Sequence, residues 1–183
     1  MCIKVEGATP MLDTKSITWK KPHTNMLKLN ADGSCKGNHG EAASGGILRD
    51  HNGDMRMSFY SYYGISTNNN AKVNALLKGL QWCVANHLDN VIIETDSMTL
   101  VNWIKSTSKG TWTIRSELEQ IINLLEKGNY QVKHFYREAN CIADIMANIR
   151  AKENKEFFFT DATLLPKQVK AAVRIDQDQL PNL

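Results

Sequence analysis

The sequence predicts an α/β domain with one mixed sheet of five strands flanked by helices, and three observations predict it. Leu27, Leu29 and Ala31 alternate with Lys28, Asn30 and Asp32, the two-residue period of a half-buried strand. Val91-Ile92-Ile93-Glu94-Thr95-Asp96 is a short β-branched run that turns polar at its end, as an interior parallel strand does. Between them Val73, Leu76, Leu77, Leu80, Cys83 and Val84 recur at helical spacing. If the two strands lie side by side and parallel, a right-handed crossover through that helix joins them.

Taken in order, residues 1–18 lack periodicity and read as a flexible leader, with order beginning near Trp19. The first strand starts at Met26 and stops at Gly33-Ser34. A Gly-rich connection follows (Gly37, Gly40, Gly45, Gly46), then a short apolar segment over 46–50, a tight turn at Asn52-Gly53 and a return strand over 55–63. Ser66-Thr67-Asn68-Asn69-Asn70 is rich in helix-capping types and opens a helix over 69–86. The strand over 91–96 comes next, and Ser97 caps a helix through Ile104. Residues 113–127 form an amphipathic helix closed by Gly128, 130–136 alternate like a strand, and 139–151 form a last helix. The sheet therefore has three antiparallel strands and then parallel ones. The domain spans 19–152, and 153–183 is a tail docked in part through Phe157-Phe158-Phe159, a run whose other reading is a partner-binding patch.

The 183 residues, 42% hydrophobic, suffice for one domain with a real core. No apolar run approaches the roughly 18 residues of a membrane span, and the N-terminus lacks the apolar stretch of a signal peptide. An intracellular address, cytoplasmic or nuclear, and a monomer without membrane contact are expected. Cys2, Cys35, Cys83 and Cys141 form no Cys-x-x-Cys pair, which argues against a zinc knuckle or redox motif and for reduced thiols. The net charge of +3 is compatible with a nucleic-acid partner without demanding one.

Asp32 and Asp96 end neighbouring strands, a natural seat for Mg²⁺, which takes hard oxygen ligands. Taken singly, each is an ordinary turn former or cap. Together, Leu29-Asn30-Ala31-Asp32-Gly33-Ser34, Thr67-Asn68-Asn69, Glu94-Thr95-Asp96-Ser97 and Arg137-Glu138-Ala139-Asn140-Cys141-Ile142-Ala143-Asp144 resemble ribonuclease H. More narrowly, the chain is similar to the plant branch of ribonuclease H-like domains, found as small proteins and within retroelement reverse-transcriptase polyproteins. Trp19-Lys20-Lys21-Pro22, Leu164-Leu165-Pro166 and Leu180-Pro181-Asn182 extend that likeness from about Trp19 to the C-terminus.

The resemblance implies a ribonuclease H-like fold and an endonuclease in which four acids hold two Mg²⁺ (or Mn²⁺) ions that cleave the RNA strand of an RNA–DNA hybrid. Asp32, Asp96 and Asp144 match three of those catalytic, metal-binding positions. At the fourth the family writes Ala-Glu and this chain writes Ala71-Lys72. Lys72 puts an ammonium where a carboxylate ligand belongs, a change of two charge units. It either snorkels away, leaving three aspartates to hold metal weakly, or swings in to pair with Asp32 or Asp96 in place of an ion. Asn74 does not rescue the site, being two residues and therefore roughly 200° further around the helix. Cleavage is expected to be impaired.

The resemblance also implies nucleic-acid contacts from Ser34 and Asn38 in the first connection, from Thr67, Asn68 and Asn69, and from Asn140, which shares a helix face with Asp144. Asn68 or Asn69 could equally cap the helix, and Asn-rich turns are common. Arg137 is a phosphate contact or a partner of Glu138 or Glu41. Lys36, Lys78, Lys105 and Lys109 could face phosphate or solvate helix ends. His134 reads as a packed strand residue, and Trp82, Trp103 and Trp112 as core or semi-exposed packing. Two rivals remain: a non-catalytic nucleic-acid-binding or protein-interaction module on the same fold, and a related integrase or exonuclease, against which the Asp-Gly-Ser and Thr-Asn-Asn motifs argue.

Overall fold

A computed structural model describes residues 18–37, 39–106, 112–149 and 156–178. In chain order these form β1 (Leu27–Cys35), β2 (Gly40–Arg49), β3 (Met55–Ser66), α1 (Asn68–Ala85), β4 (Val91–Thr95), α2 (Met98–Lys105), α3 (Arg115–Leu125), β5 (Tyr130–His134), α4 (Cys141–Asn148), β6 (Glu156–Phe159) and α5 (Lys167–Gln177). Short 3₁₀ turns at Trp112–Ile114 and Arg137–Asn140 lead into α3 and α4.

The strands lie in one sheet in the order β5-β4-β1-β2-β3-β6. β1 is parallel to β4 and β4 to β5, while β1, β2, β3 and β6 pair antiparallel in succession. The sheet has six strands, not five. The addition is β6, whose Phe157, Phe158 and Phe159 lack a two-residue polarity pattern because both sheet faces meet apolar neighbours there. Phe158 packs on Phe59 at 5.6 Å between ring centroids, and Phe157 stacks on Tyr60 at 5.6 Å.

Glycines hid the true length of β1 and β2. β1 runs through Gly33 to Cys35, and β2 begins at Gly40. Gly33 and Gly45 are places where a helix touches the sheet backbone. A Cβ at Gly33 would lie 2.1 Å from the Ala71 carbonyl carbon, and one at Gly45 would lie 2.3 Å from the Ala147 nitrogen.

α1 covers one face through Val73, Leu76 and Leu80 against Leu29, Met57 and Phe59. α4 and α5 cover the other through Ile142, Met146, Val169 and Val173 around Ile47. The polar side of β1 is therefore sealed as well: Lys28, Asn30 and Asp32 are 6%, 1% and 2% exposed. They survive burial by pairing, as buried polar groups must. Lys28 Nζ lies 2.8 Å from Glu94 Oε1, and Asn30 Nδ2 donates to Glu94 Oε2 at 2.9 Å. Arg49 Nη2 donates to Asn30 Oδ1 at 2.8 Å, and Arg49 Nη1 lies 2.6 Å from Asp176 Oδ2 on α5. The Arg49 guanidinium also stacks 3.5 Å above the ring of Trp19, which is itself buried.

Trp82 and Trp103 lean on the α1-side core, but Trp112 is 88% exposed at the entrance to α3. Cys35, Cys83 and Cys141 are free thiols. Among the described residues no helix is long and apolar enough to cross a membrane.

Candidate active site

β1 and β4 run parallel with Asn30 beside Glu94, so two residues on, Asp32 and Asp96 stand next to each other at the carboxyl ends of the strands. Asp32 is still within β1, whereas Asp96 begins the turn into α2, where the Ser97 hydroxyl accepts the Leu100 N–H at 3.2 Å. α1 arrives from the other side. Its cap is Thr67, whose Oγ1 accepts the Asn70 N–H at 3.2 Å, and neither Asn68 nor Asn69 takes that role. Because α1 touches the β1 backbone at Gly33, the residue at position 72 is aimed at Asp32.

That residue is Lys72, and it has swung in. Its ammonium donates to Asp32 Oδ1 at 2.7 Å and also to Asp96 Oδ1, bridging the two carboxylates. The three side chains are only 14%, 3% and 11% exposed for Lys72, Asp32 and Asp96. Burial pushes the Asp32 carboxyl up to about 6, the Lys72 charge pulls it down, and the charge of Asp96 adds to the rise. For Lys72, burial alone would lower the ammonium, but Asp32 and Asp96 outweigh it and raise it above the ordinary lysine value. The bridge therefore carries a full positive charge at neutral pH.

Asp144 on α4 is paired with Arg137, whose Nη2 reaches its Oδ1 at 3.2 Å. The Asp144 charge raises the guanidinium above its usual value, with smaller contributions from Asp32 and Asp96. So Arg137 belongs to the carboxylate cluster itself. Asn74, on another side of α1, donates to the Asn70 carbonyl at 2.8 Å.

The other anticipated contacts divide. Asn68 and Asn69 are exposed at the start of α1. The Ser34 hydroxyl donates to Asn148 Oδ1 at 2.8 Å, tying the end of β1 to α4. Asn140 does not stand at the surface: it is 1% exposed and donates to the Ala31 carbonyl at 3.3 Å, because the 3₁₀ turn before α4 carries it inward. Asn38 and Lys109 lie outside the described residues. Lys78 is engaged with Glu156 at 2.7 Å. His134 ends β5 with its ring edge-on to Tyr136 at 5.9 Å. The chain Lys28–Glu94–Asn30–Arg49–Asp176 escaped the sequence reading, since its β1 members looked like a solvent face.

Two-metal chemistry needs several carboxylate oxygens free to converge on the ions. Among the described residues no three His, Cys, Asp or Glu side chains are arranged to hold a metal. Asp32 Oδ1 already accepts both Lys72 and the Gly33 N–H, the latter at 2.8 Å. As it stands, the cluster does not fit a pair of ions.

A mixed sheet in this order, with one acid within β1, a second just past β4 and a third on α4, defines a ribonuclease H-like domain. The chain belongs to the reverse transcriptase-like family, whose model matches residues 30–149. An Arabidopsis thaliana protein described as a candidate ribonuclease H is 28% identical over 171 residues, which are 93% of this chain and 27% of that protein. The chain thus spans little more than a quarter of that curated relative. Ribonuclease H1 of the archaeon Halobacterium salinarum superposes with a TM-score of 0.63 at 25% identity, over 67% of this chain and 95% of that one. LC11 ribonuclease H1, solved in complex with RNA/DNA hybrid, gives 0.61 at 25% identity, over 67% and 94%.

Proposed function

We propose that this domain binds RNA–DNA hybrid at the carboxyl ends of β1 and β4 and that Lys72 disables cleavage of the RNA strand. The single observation carrying this reading is the Lys72 ammonium bridging Asp32 and Asp96. Kinship with a ribonuclease H1 solved on RNA/DNA hybrid supports the choice of ligand.

In the family, divalent ions activate water and stabilise the phosphoryl transition state. Here a lysine holds the two carboxylates together, keeps them from facing each other uncompensated and offers no Lewis acid. What remains is recognition: Asn68 and Asn69 stand exposed on one flank, with amide groups suited to a minor groove and its 2′-hydroxyls. Arg137 stands on the other, suited to phosphate.

The test is fluorescence-anisotropy binding of labelled RNA–DNA hybrid, double-stranded DNA and double-stranded RNA, with gel analysis of the hybrid after incubation with Mg²⁺ or Mn²⁺. The expected result is preferential binding of hybrid with the RNA strand intact. Equal affinity for all three duplexes, or ready cleavage, overturns the reading.

A further inference from the structure

We infer that this site carries built-in cations, Lys72 and Arg137, in place of divalent ions, so that the protein takes no Mg²⁺ or Mn²⁺ and grips a nucleic-acid phosphate without metal. The inference rests on the reading of the carboxylate cluster as a hybrid site and adds how that site meets the negative backbone.

Charge is the first ground. Asp32, Asp96 and Asp144 bring three negative charges, Lys72 lies against the first two and Arg137 against the third, and one net negative charge remains. Four carboxylates without ions, as the family pattern has them, would carry four and would repel a phosphodiester until metal arrived. The present cluster is largely neutralised by covalently attached groups.

Access is the second ground, and it separates the two cations. Lys72 is only 14% exposed and spends two of its three donors on Asp32 and Asp96, so it is a neutralising strut. Seating a divalent ion there would require expelling the ammonium from both carboxylates while it stays covalently attached nearby, a like-charge neighbour for the ion. Arg137 is 72% exposed and is anchored to Asp144 through Nη2. A guanidinium has five N–H donors in a flat fork, and those left over suit the paired oxygens of a phosphate. The carboxylate of Asp144 thereby orients Arg137 as a phosphate-binding residue.

Lys72→Glu should restore four acids and with them both metal affinity and metal-dependent binding. Lys72→Gln, nearly the same length but uncharged, isolates loss of the ammonium from gain of a carboxylate.

The experiment has two readouts on the full chain. Free Mn²⁺ is followed by electron paramagnetic resonance as protein is added, with circular dichroism confirming that each variant is folded. Hybrid affinity is then measured in excess EDTA and in excess Mg²⁺. The expected result is no Mn²⁺ uptake by the natural sequence, clear uptake by Lys72→Glu, and less by Lys72→Gln. Hybrid affinity of the natural sequence should change less than about twofold between EDTA and Mg²⁺ at matched ionic strength, while Arg137→Ala weakens it about tenfold in EDTA and lowers the salt dependence by about one phosphate contact. Mn²⁺ uptake by the natural sequence comparable to that of Lys72→Glu overturns the inference even if hybrid binds well. Hybrid binding that requires Mg²⁺ overturns it while leaving the functional reading intact. No hybrid binding under either condition, with Mn²⁺ also refused, overturns the functional reading and the phosphate-binding part of the inference with it.

Discussion

Two ion-pair clusters ride on the same two strands, two residues apart. Asn30 and Glu94 join Lys28, Arg49 and the α5 residue Asp176 in a chain sealed from water. Asp32 and Asp96 lie just beyond, where the sheet ends, and hold Lys72. Chemically the two are alike, carboxylates gripping cations at 2.6 to 2.8 Å. They differ in what covers them. The first is buried throughout, and its Arg49–Asp176 pair makes it a fastener between α5 and the sheet. The second lies near Arg137, which is 72% exposed, and on the proposed reading its composition bears on activity. The difference teaches that a buried charge network is assigned structure or function by its lid more than by its residues.

The fastener is the place to break the fold. Arg49→Ala removes the buried guanidinium that pairs with Asp176 and donates to Asn30, and it should cost about 3–5 kcal/mol, read as a lowered midpoint in urea denaturation. Lys72→Gln should cost less, since Asp32, already raised to about 6, can relieve the lost pairing by taking a proton. A comparable loss from the two substitutions would abolish the distinction drawn between the clusters.

Gly33→Ala strikes the contact that places Lys72. The new methyl group collides with the backbone of Ala71 and Lys72, and shifting α1 should cost about 1–3 kcal/mol. Nuclear magnetic resonance should show the Lys72 ammonium signals displaced. An unchanged spectrum and stability would mean that α1 does not touch β1 as described.

The smallest effect is on pH. Burial raises Asp32 from 3.8 to about 6 in the folded protein, so between those values the folded state holds a proton that the unfolded chain has lost. Its contribution to stability is full below 3.8 and vanishes as pH rises through about 6. Asp32→Asn should flatten the stability profile in that window, measured as Tm against pH beside the natural sequence. An unchanged slope would show that the site titrates elsewhere.

Much of this was legible in the sequence because local rules and tertiary demands agreed. The alternation of β1, the apolar run of β4 and the helical spacing of α1 each gave their element within a few residues. Gly33 and Gly45 misled because glycine marks both turns and close contacts, and only the packed helices distinguish the two. β6 was hidden because Phe157, Phe158 and Phe159 bury area on both faces and so show no period. At the site, Asp32, Asp96, Asp144 and the anomaly at Lys72 could be named from motif order, and of the two outcomes open to Lys72 the structure shows the inward one. Arg137 was named without its true partner, because Asp144 follows it across a 3₁₀ turn that no spacing rule reports. Asn140 was taken for a surface residue for the same reason.

The most direct test of the central claim is Mg²⁺- and Mn²⁺-dependent cleavage of a labelled RNA–DNA hybrid by the natural sequence beside its Lys72→Glu variant. The account predicts that both bind hybrid and that only Lys72→Glu cuts the RNA strand. Cleavage by the natural sequence at a comparable rate would contradict it, showing that three aspartates suffice and that the lysine bridge yields to metal.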